Sequence, residues 1–370
     1  MVSYSVTRSE HQQLTTRKMN SNYKSLTEQM QRRLNPENLA FKEPFREELR
    51  SLQYQDALLF IRFAMKGVEP EYTSKSIEAG NRAKQHLEAE LTSVDYRFQG
   101  SVMTNTHIRG YSDIDLLCLS SKFYNWDSYN VDRYLNEASF RQQLTELQIR
   151  RLDAEKNKSS YQGDSNNDLR TIRLTSERIM TSKYTECDTS KPKSIKIRNK
   201  DLHRDVDIVT AAWYNDLRTI LRDDRENRGV KVYDKDANAT GSADFPFISI
   251  ARINQRSSDT NGRLKKMIRF LKNVKSFSDL EIKLSSFDIN ALCFDIDTSD
   301  YWSATYIELV AVLHRQLTRI VNDSAHADSI ISVDEREYIF RGKPQKVDGI
   351  RRLLGEVSQV LRDMPKPLYS

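Results

Sequence analysis

Two aspartates two positions apart open an apolar run in the stretch FQGSVMTNTHIRGYSDIDLLCLSS, which runs from Phe98 to Ser121. In a strand, Asp113 and Asp115 leave the same face. Like charges that close repel, and the run Leu116-Leu117-Cys118-Leu119 asks for burial, which makes bare carboxylates costlier still. A divalent cation resolves the conflict. Eleven residues separate Asp113 from the Gly100-Ser101 pair upstream. Only small residues let backbone N–H groups approach a phosphate closely, and the serine adds a hydroxyl. A third carboxylate comes much later, in RDVDIVTA. Periodicity puts Asp205 and Asp207 on one face and does not choose between them. Asp207, however, lies within the apolar run Val206–Val209, where an unpaired carboxylate is expensive. Phosphoryl transfer accounts for the set. Asp113 and Asp115 would hold Mg²⁺ through hard oxygen ligands, one metal activating an attacking hydroxyl and the other steadying the leaving pyrophosphate.

Elements must position these residues. The segment YQDALLFIRFAMKG reads as a buried helix ending at Gly67, and a second helix runs from about Ser74 to Leu91. Residues 96–99 form a short strand, Gly100-Ser101 the turn after it, and 114–119 the next strand. Helices are expected over about 131–156 and 168–183, with the polar NKSSYQGDSNN as the loop between them. SIKIRNKDLHRDVDIVTAAW alternates, breaks at Asn199-Lys200-Asp201 and resumes, the pattern of a hairpin. A polar connector over 223–243 leads to a mostly helical second half. There RLKKMIRFLKNVK puts Leu264, Met267, Ile268 and Leu271 on one stripe with a basic face opposite. SSFDINALCFDI starts another helix with a serine cap, and the last helix covers 344–363.

Composition sets the outer bounds. With 370 residues the chain has ample core for two lobes, and 30% charged against 38% apolar residues is an ordinary globular balance. A net charge of +6 suits anionic ligands such as nucleotides without proving nucleic-acid binding. Cys118, Cys187 and Cys293 are scattered, with no Cys/His cluster of the zinc-site kind. No apolar run approaches the roughly 18–20 residues of a membrane span. The expectation is a soluble cytoplasmic protein with no zinc site and no membrane partner.

The glycine-serine pair, the spacer and Asp-x-Asp resemble the signature of the DNA polymerase beta-like nucleotidyltransferases. The closer likeness is to the cyclic-oligonucleotide synthases, the cyclic GMP-AMP synthase and bacterial dinucleotide-cyclase group (CD-NTases). GSVMTNTHIRGYSDIDLL is similar to their GS…GT…I…SDIDL form, with Asn105 where glycine is commoner. RDVDIVTA resembles the strand of their third carboxylate, which selects Asp207. LSSFDINALCF resembles their Ser-Ser-Tyr/Phe helix start, implying Ser286 at a donor triphosphate and Phe287 against a base. KMIRFLK resembles the helix whose basic residues touch the triphosphate, implying Lys266 and Arg269. The implied fold is α+β and bilobal, a mixed β-sheet core with flanking helices plus a mostly helical second lobe. Its divisions would be a flexible N-terminus (1–22), an N-terminal helical region (23–72), a nucleotidyltransferase core (73–222), the connector (223–243) and a helical lobe (244–370). The implied activity joins two or more NTPs (ATP, GTP or UTP) with Mg²⁺, or Mn²⁺ in its place, into a cyclic di- or trinucleotide. The implied role is antiphage signalling, with the product acting on a separate effector protein. Without a zinc thumb, activation by nucleic acid is not expected.

Bland readings stand beside these. Asp295 and Asp297 repeat the Asp-x-Asp pattern with no Gly-Ser at the right distance and read as a solvated helix end. Gly241-Ser242 reads as a turn, Asp205 as a hydrogen-bonded neighbour, and Thr104, Thr106 and Ser112 as turn-stabilising. Lys266 and Arg269 share a helix face that would equally suit solvent, Ser286 could cap its helix, and Phe287 could be core. His107 and His203 are not needed when a metal activates the nucleophile. Two rival functions are a template-independent transferase acting on RNA or a small molecule, and an inactive nucleotide-binding scaffold.

Overall fold

The computed structural model describes residues 23–34, 56–109 and 113–364. The N-terminal segment 1–22 and Ser112, both given expectations above, lie outside the described residues.

One mixed sheet carries the chemistry. Strand β1 (Val94–Gln99) runs antiparallel to β2 (Ile114–Trp126). β2 lies parallel to β5 (Arg204–Asn215), with Asp115 directly opposite Asp207. β5 is shared on its other side: β4 (Ile195–Asn199) pairs with residues 204–208, and β6 (Gly229–Asp234) with residues 211–214. The two-residue β3 (Cys187–Asp188) and β7 (Ala239–Asp244) complete the two branches. The expected hairpin at 195–215 is present, and Lys200–His203 form its turn.

Alternation along the strands sorts the two faces. Ile114, Leu116 and Cys118, Val206 and Ile208, and Ile195 and Ile197 all turn to one side. There they meet Ala79, Ala83 and Leu87 of α3 (Pro70–Glu88) and Ile172, Ile179 and Met180 of α7 (Ser165–Lys183). The opposite side carries Asp115 and Asp207 at one rim and, further along, Leu117, Leu119, Val209, Ala211 and Trp213. This second cluster is closed by Phe247 of α9 (Pro246–Asp259).

The helical lobe has its own core. Helices α1 (Tyr23–Leu34) and α2 (Asp56–Met65) pack into it with α10 (Arg263–Phe277), α11 (Ser286–Asp295), α12 (Glu308–Asn322) and α14 (Pro344–Arg362). The N-terminal helices thus belong to the second lobe. α3 and α9 join the lobes, since Tyr72 and Ile253 sit in the helical core while Ala79 and Phe247 sit against the sheet.

Three expectations change. Residues 131–156 are not one helix but three, α4 (Ser128–Asn136), α5 (Ala138–Arg141) and α6 (Glu146–Lys156), because Thr145 and Gln148 form a reciprocal cap that starts α6 afresh. The connector at 223–243 contains α8's left-handed cap at Asp223, after α8 (Leu217–Arg222), and then the β6–β7 hairpin. Gly241-Ser242 therefore lies within a strand rather than a turn.

Candidate active site

The site grows from the rim of the sheet where β1 ends and β2 and β5 begin. Gln99 faces Asp115 across the ladder, and Gly100 then turns the chain with φ +90°. A β-carbon on Gly100 would stand 2.4 Å from Asp115 Oδ2, so glycine is required both by conformation and by proximity to the carboxylate. The turn is tied internally. Gly100 O accepts from Met103 N–H at 3.2 Å and Ser101 O from Thr106 N–H at 3.0 Å. The Thr104 hydroxyl donates to Ser101 O at 3.2 Å and lies 2.8 Å from that of Thr106. Asn105 stands at φ +51°, a left-handed conformation that asparagine tolerates better than most residues. That conformation accounts physically for Asn105 at the place where a glycine would also fit.

Asp115 and Asp207 are partly buried next to an apolar cluster. Burial, followed by the Asp207 and Asp113 charges, pushes the Asp115 carboxyl up to about 7, while Lys196 pulls it down. Asp207 is raised as well, first by burial and then by Asp113 and Asp205, against Lys196 and Lys191. One oxygen of Asp207, Oδ1, is buried without a hydrogen-bond partner. Asp205 is satisfied by Arg198 at 2.9 Å and Lys196 at 3.4 Å. The donor set is all oxygen and excess in negative charge, and it has an orphaned buried acceptor. Those are the properties a hard divalent cation would satisfy.

Beside the Gly100-Ser101 turn opens a cleft of about 380 Å³ between the lobes. The core contributes Ser101, Thr106, His107 and Arg109, and the helical lobe Lys272, Lys275, Ser276 and Ser286. Burial pushes His107 down to about 4, so its imidazole is neutral near pH 7. Ser285, not Ser286, caps α11: its hydroxyl accepts from Asp288 N–H at 3.1 Å while the Asp288 carboxylate accepts from Ser285 N–H at 2.8 Å. Ser286 thus has no capping duty and lines the cleft.

A stretch of the C-terminal third matches a family model. Residues 251–362 fit the cGAS/DncV-like nucleotidyltransferase C-terminal helical domain. Over 345 residues the chain is 42% identical to a c-di-GMP synthase of a Lachnospiraceae bacterium, spanning 92% of this chain and 98% of the relative. It is 46% identical over 346 residues to a c-di-GMP synthase of Capnocytophaga granulosa, spanning 93% and 98%. The solved structure of a STING-associated CdnE c-di-GMP synthase from Flavobacteriaceae sp. superposes with a TM-score of 0.83 at 36% identity, over 93% of this chain and 98% of that one. This chain belongs to the cGAS/DncV-like nucleotidyltransferases. It is an enzyme of cyclic dinucleotide synthesis.

Within this nucleotidyltransferase the sequence-derived residues fall into two groups. Asp115 and Asp207 are opposed at the rim, with Gly100 and Ser101 beside them and Ser286 across the cleft, while Asp113, two residues before Asp115, is held by Lys196 at 2.6 Å. Phe287 packs, half-buried, on the helical core. Lys266 is half-buried on α10 and absent from the cleft lining. Arg269 is buried and committed to two carbonyls, donating from Nε to Met65 O at 2.8 Å and from Nη1 to Asn105 O at 2.7 Å. The α10 cations that line the cleft are Lys272 and Lys275, one and two turns further on, which also donate to Thr106 O and Leu284 O, and the core adds Arg109. Helical spacing carried a signal for Lys272, which follows Arg269 at i+3 on the same side. Asp295 and Asp297 play local parts, the first accepting from Gln316 at 2.7 Å and the second from Ser299 N–H at 2.8 Å.

Proposed function

We propose that the enzyme condenses two GTP molecules into cyclic di-GMP, with release of pyrophosphate, and that the product acts on a separate effector protein in antiphage defence. The choice of guanine is supported by the c-di-GMP synthases of Lachnospiraceae, Capnocytophaga granulosa and Flavobacteriaceae that share 35–46% of its residues. The separate effector is supported by the STING association of two such structures. The chemistry rests on one observation: Asp115 and Asp207 face each other across parallel strands, next to a Gly-Ser turn that no larger residue could make.

Asp113, Asp115 and Asp207 would hold Mg²⁺, with Mn²⁺ able to replace it. When bound, such an ion supplies charge neutralisation for the triphosphate and a lowered pKa for the acceptor hydroxyl. The chain's own groups do the rest. The Gly100-Ser101 turn offers a backbone and a hydroxyl to the outer phosphates of the donor, and Lys275 and Ser286 close on that triphosphate from the other lobe. Asp207, with its unpartnered oxygen, would take up the proton of an acceptor ribose hydroxyl as the hydroxyl attacks the donor α-phosphate. A first transfer gives a linear dinucleotide with a 5′-triphosphate. After it turns over in the cleft, a second transfer closes the ring and releases the second pyrophosphate.

The test is incubation with GTP alone, with each other NTP, and with pairs, in Mg²⁺ and without primer. A phosphatase-resistant product with the mass of cyclic di-GMP from GTP alone is expected. A requirement for RNA or another acceptor, or a product containing another base, would overturn the proposal.

A further inference from the structure

Lys196 sits in the middle of the carboxylates. Strand β4 alternates Ile195, Lys196, Ile197 and Arg198, with the isoleucines in the core under α3 and α7. Lys196 and Arg198 therefore stand on the same sheet face as the aspartates. The register puts Lys196 opposite Asp207 and Arg198 opposite Asp205. Lys196 Nζ contacts Asp113 Oδ2 at 2.6 Å and Asp205 Oδ2 at 3.4 Å. Arg198 is committed to Asp205 at 2.9 Å, with Glu186 at 4.0 Å on its other side. Four carboxylates thus share two cations on this face, leaving an excess of negative charge that a divalent ion would complete.

The same contact has a geometric cost. Among the described residues, no three Asp, Glu, His or Cys side chains are gathered closely enough to hold a metal together, although Asp115 and Asp207 are already opposed. Asp113 is the member held by the ammonium. We propose that Lys196 is a resident counter-cation, a positioning residue that holds Asp113 while the site lacks metal and must release it for a divalent ion to bind. Lysine suits the task. Its charge rides on a flexible four-carbon stem, so it leaves a carboxylate without moving the strand, and its side chain is 31% exposed, with solvent to swing into. In its holding position it offsets the repulsion among Asp113, Asp115, Asp205 and Asp207 that burial would otherwise sharpen. Exchange of the ammonium for a divalent ion also reduces the excess of negative charge in the cluster.

This inference rests on reading the aspartates as metal ligands, and the test separates the two. Mn²⁺ binding without nucleotide is followed through the electron paramagnetic resonance signal of the free ion, for the wild type and for K196M, K196R, K191M and D113N. Melting temperatures are taken in EDTA and in Mn²⁺. K196M is expected to bind Mn²⁺ about three- to tenfold more tightly than the wild type, the scale of one half-exposed ion pair, and to melt lower in EDTA. K196R is expected to restore the wild-type values. K191M removes a cation that acts on Asp207 without touching Asp113, so it should change affinity less than K196M. Equal or weaker Mn²⁺ binding by a folded K196M, or an equal gain in K191M, would overturn the role of Lys196 and leave the metal site standing. No Mn²⁺ binding by the wild type, with D113N indistinguishable from it, would overturn both. K196Q serves in place of K196M if the methionine variant fails to fold.

Discussion

A carboxyl beside an apolar cluster has to choose between staying protonated and finding a cation, and Asp115 shows the tension most clearly. Its pKa stands near 7 in the folded chain, against an ordinary carboxylate value in the unfolded one. The folded state therefore binds this proton more tightly. Its contribution to stability is complete below the ordinary carboxylate range and is lost as pH rises through about 7. Asp207 shifts in the same direction. With metal chelated, Asp115→Asn should melt higher than the wild type at pH 8, by on the order of 2 kcal/mol, and the gap should close near pH 4. Activity should fall at least about 100-fold in the same variant. Calorimetric melts in EDTA across this pH range, paired with product assays in Mg²⁺, check both outcomes. A variant that is less stable at pH 8 would contradict the account.

At the scale of elements, helix α10 is the joint between the lobes. Its stripe Leu264, Met267, Ile268 and Leu271 is wholly buried, as the 3.6-residue period indicates. The basic face opposite is a different matter. Arg269, Lys272 and Asn273 turn into the joint, where they satisfy carbonyls left over at the end of α2 and in the turn after Gly100. Asn273 donates to Ala64 O at 3.0 Å, Arg269 to Met65 O and Asn105 O, and Lys272 to Thr106 O at 3.2 Å. Helix C-termini leave such acceptors unpaired, and cations are favoured there. Arg269→Met should lower stability by about 2–3 kcal/mol, since it strands the buried Met65 carbonyl and the part-buried one of Asn105, while Lys266→Ala should cost less than about 0.5 kcal/mol. Urea unfolding of the two variants decides it, and equal costs would refute the joint.

The same helix shows what a sequence can and cannot carry. Periodicity identifies which residues share a face. It does not say what packs against that face, because α2 arrives from some 200 positions away. Asp113, Asp115 and Gly100 were legible because their spacing is local, and Asp207 because one strand pattern and one family motif agree. Lys196 was not: an alternating strand reads as a solvated hairpin until its register against β5 is known. The β6–β7 hairpin escaped for a related reason, since its lysines and aspartates look like a connector until β5 offers an unpaired edge.

For the whole molecule, the cleft has walls from both lobes, so a nucleotide that fills it ties them together. A ligand at 100 times its dissociation constant adds about 2.7 kcal/mol to the folded state. A non-hydrolysable GTP analogue with Mg²⁺ should therefore raise the melting temperature of the entire chain as one transition. Lys275→Ala combined with Ser286→Ala should abolish most of that rise, while the ligand-free melt falls only by the hydrogen bond from Lys275 to Leu284 O that it removes, about 1 kcal/mol. Scanning calorimetry with and without the analogue reads it directly. A rise that persists in the double variant would place the nucleotide elsewhere.

The turn Lys200–His203 joins β4 to β5 in the pairing that sets which side chains β4 presents to the aspartates. Side chains change face at every residue of a strand, so a slip of β4 by one position against β5 would turn it over. Ile195 and Ile197 would then face the aspartates, and Lys196 and Arg198 would be driven under α3 into oil. The aspartate cluster thus meets its counter-cations in only one of the two ways β4 could face the sheet.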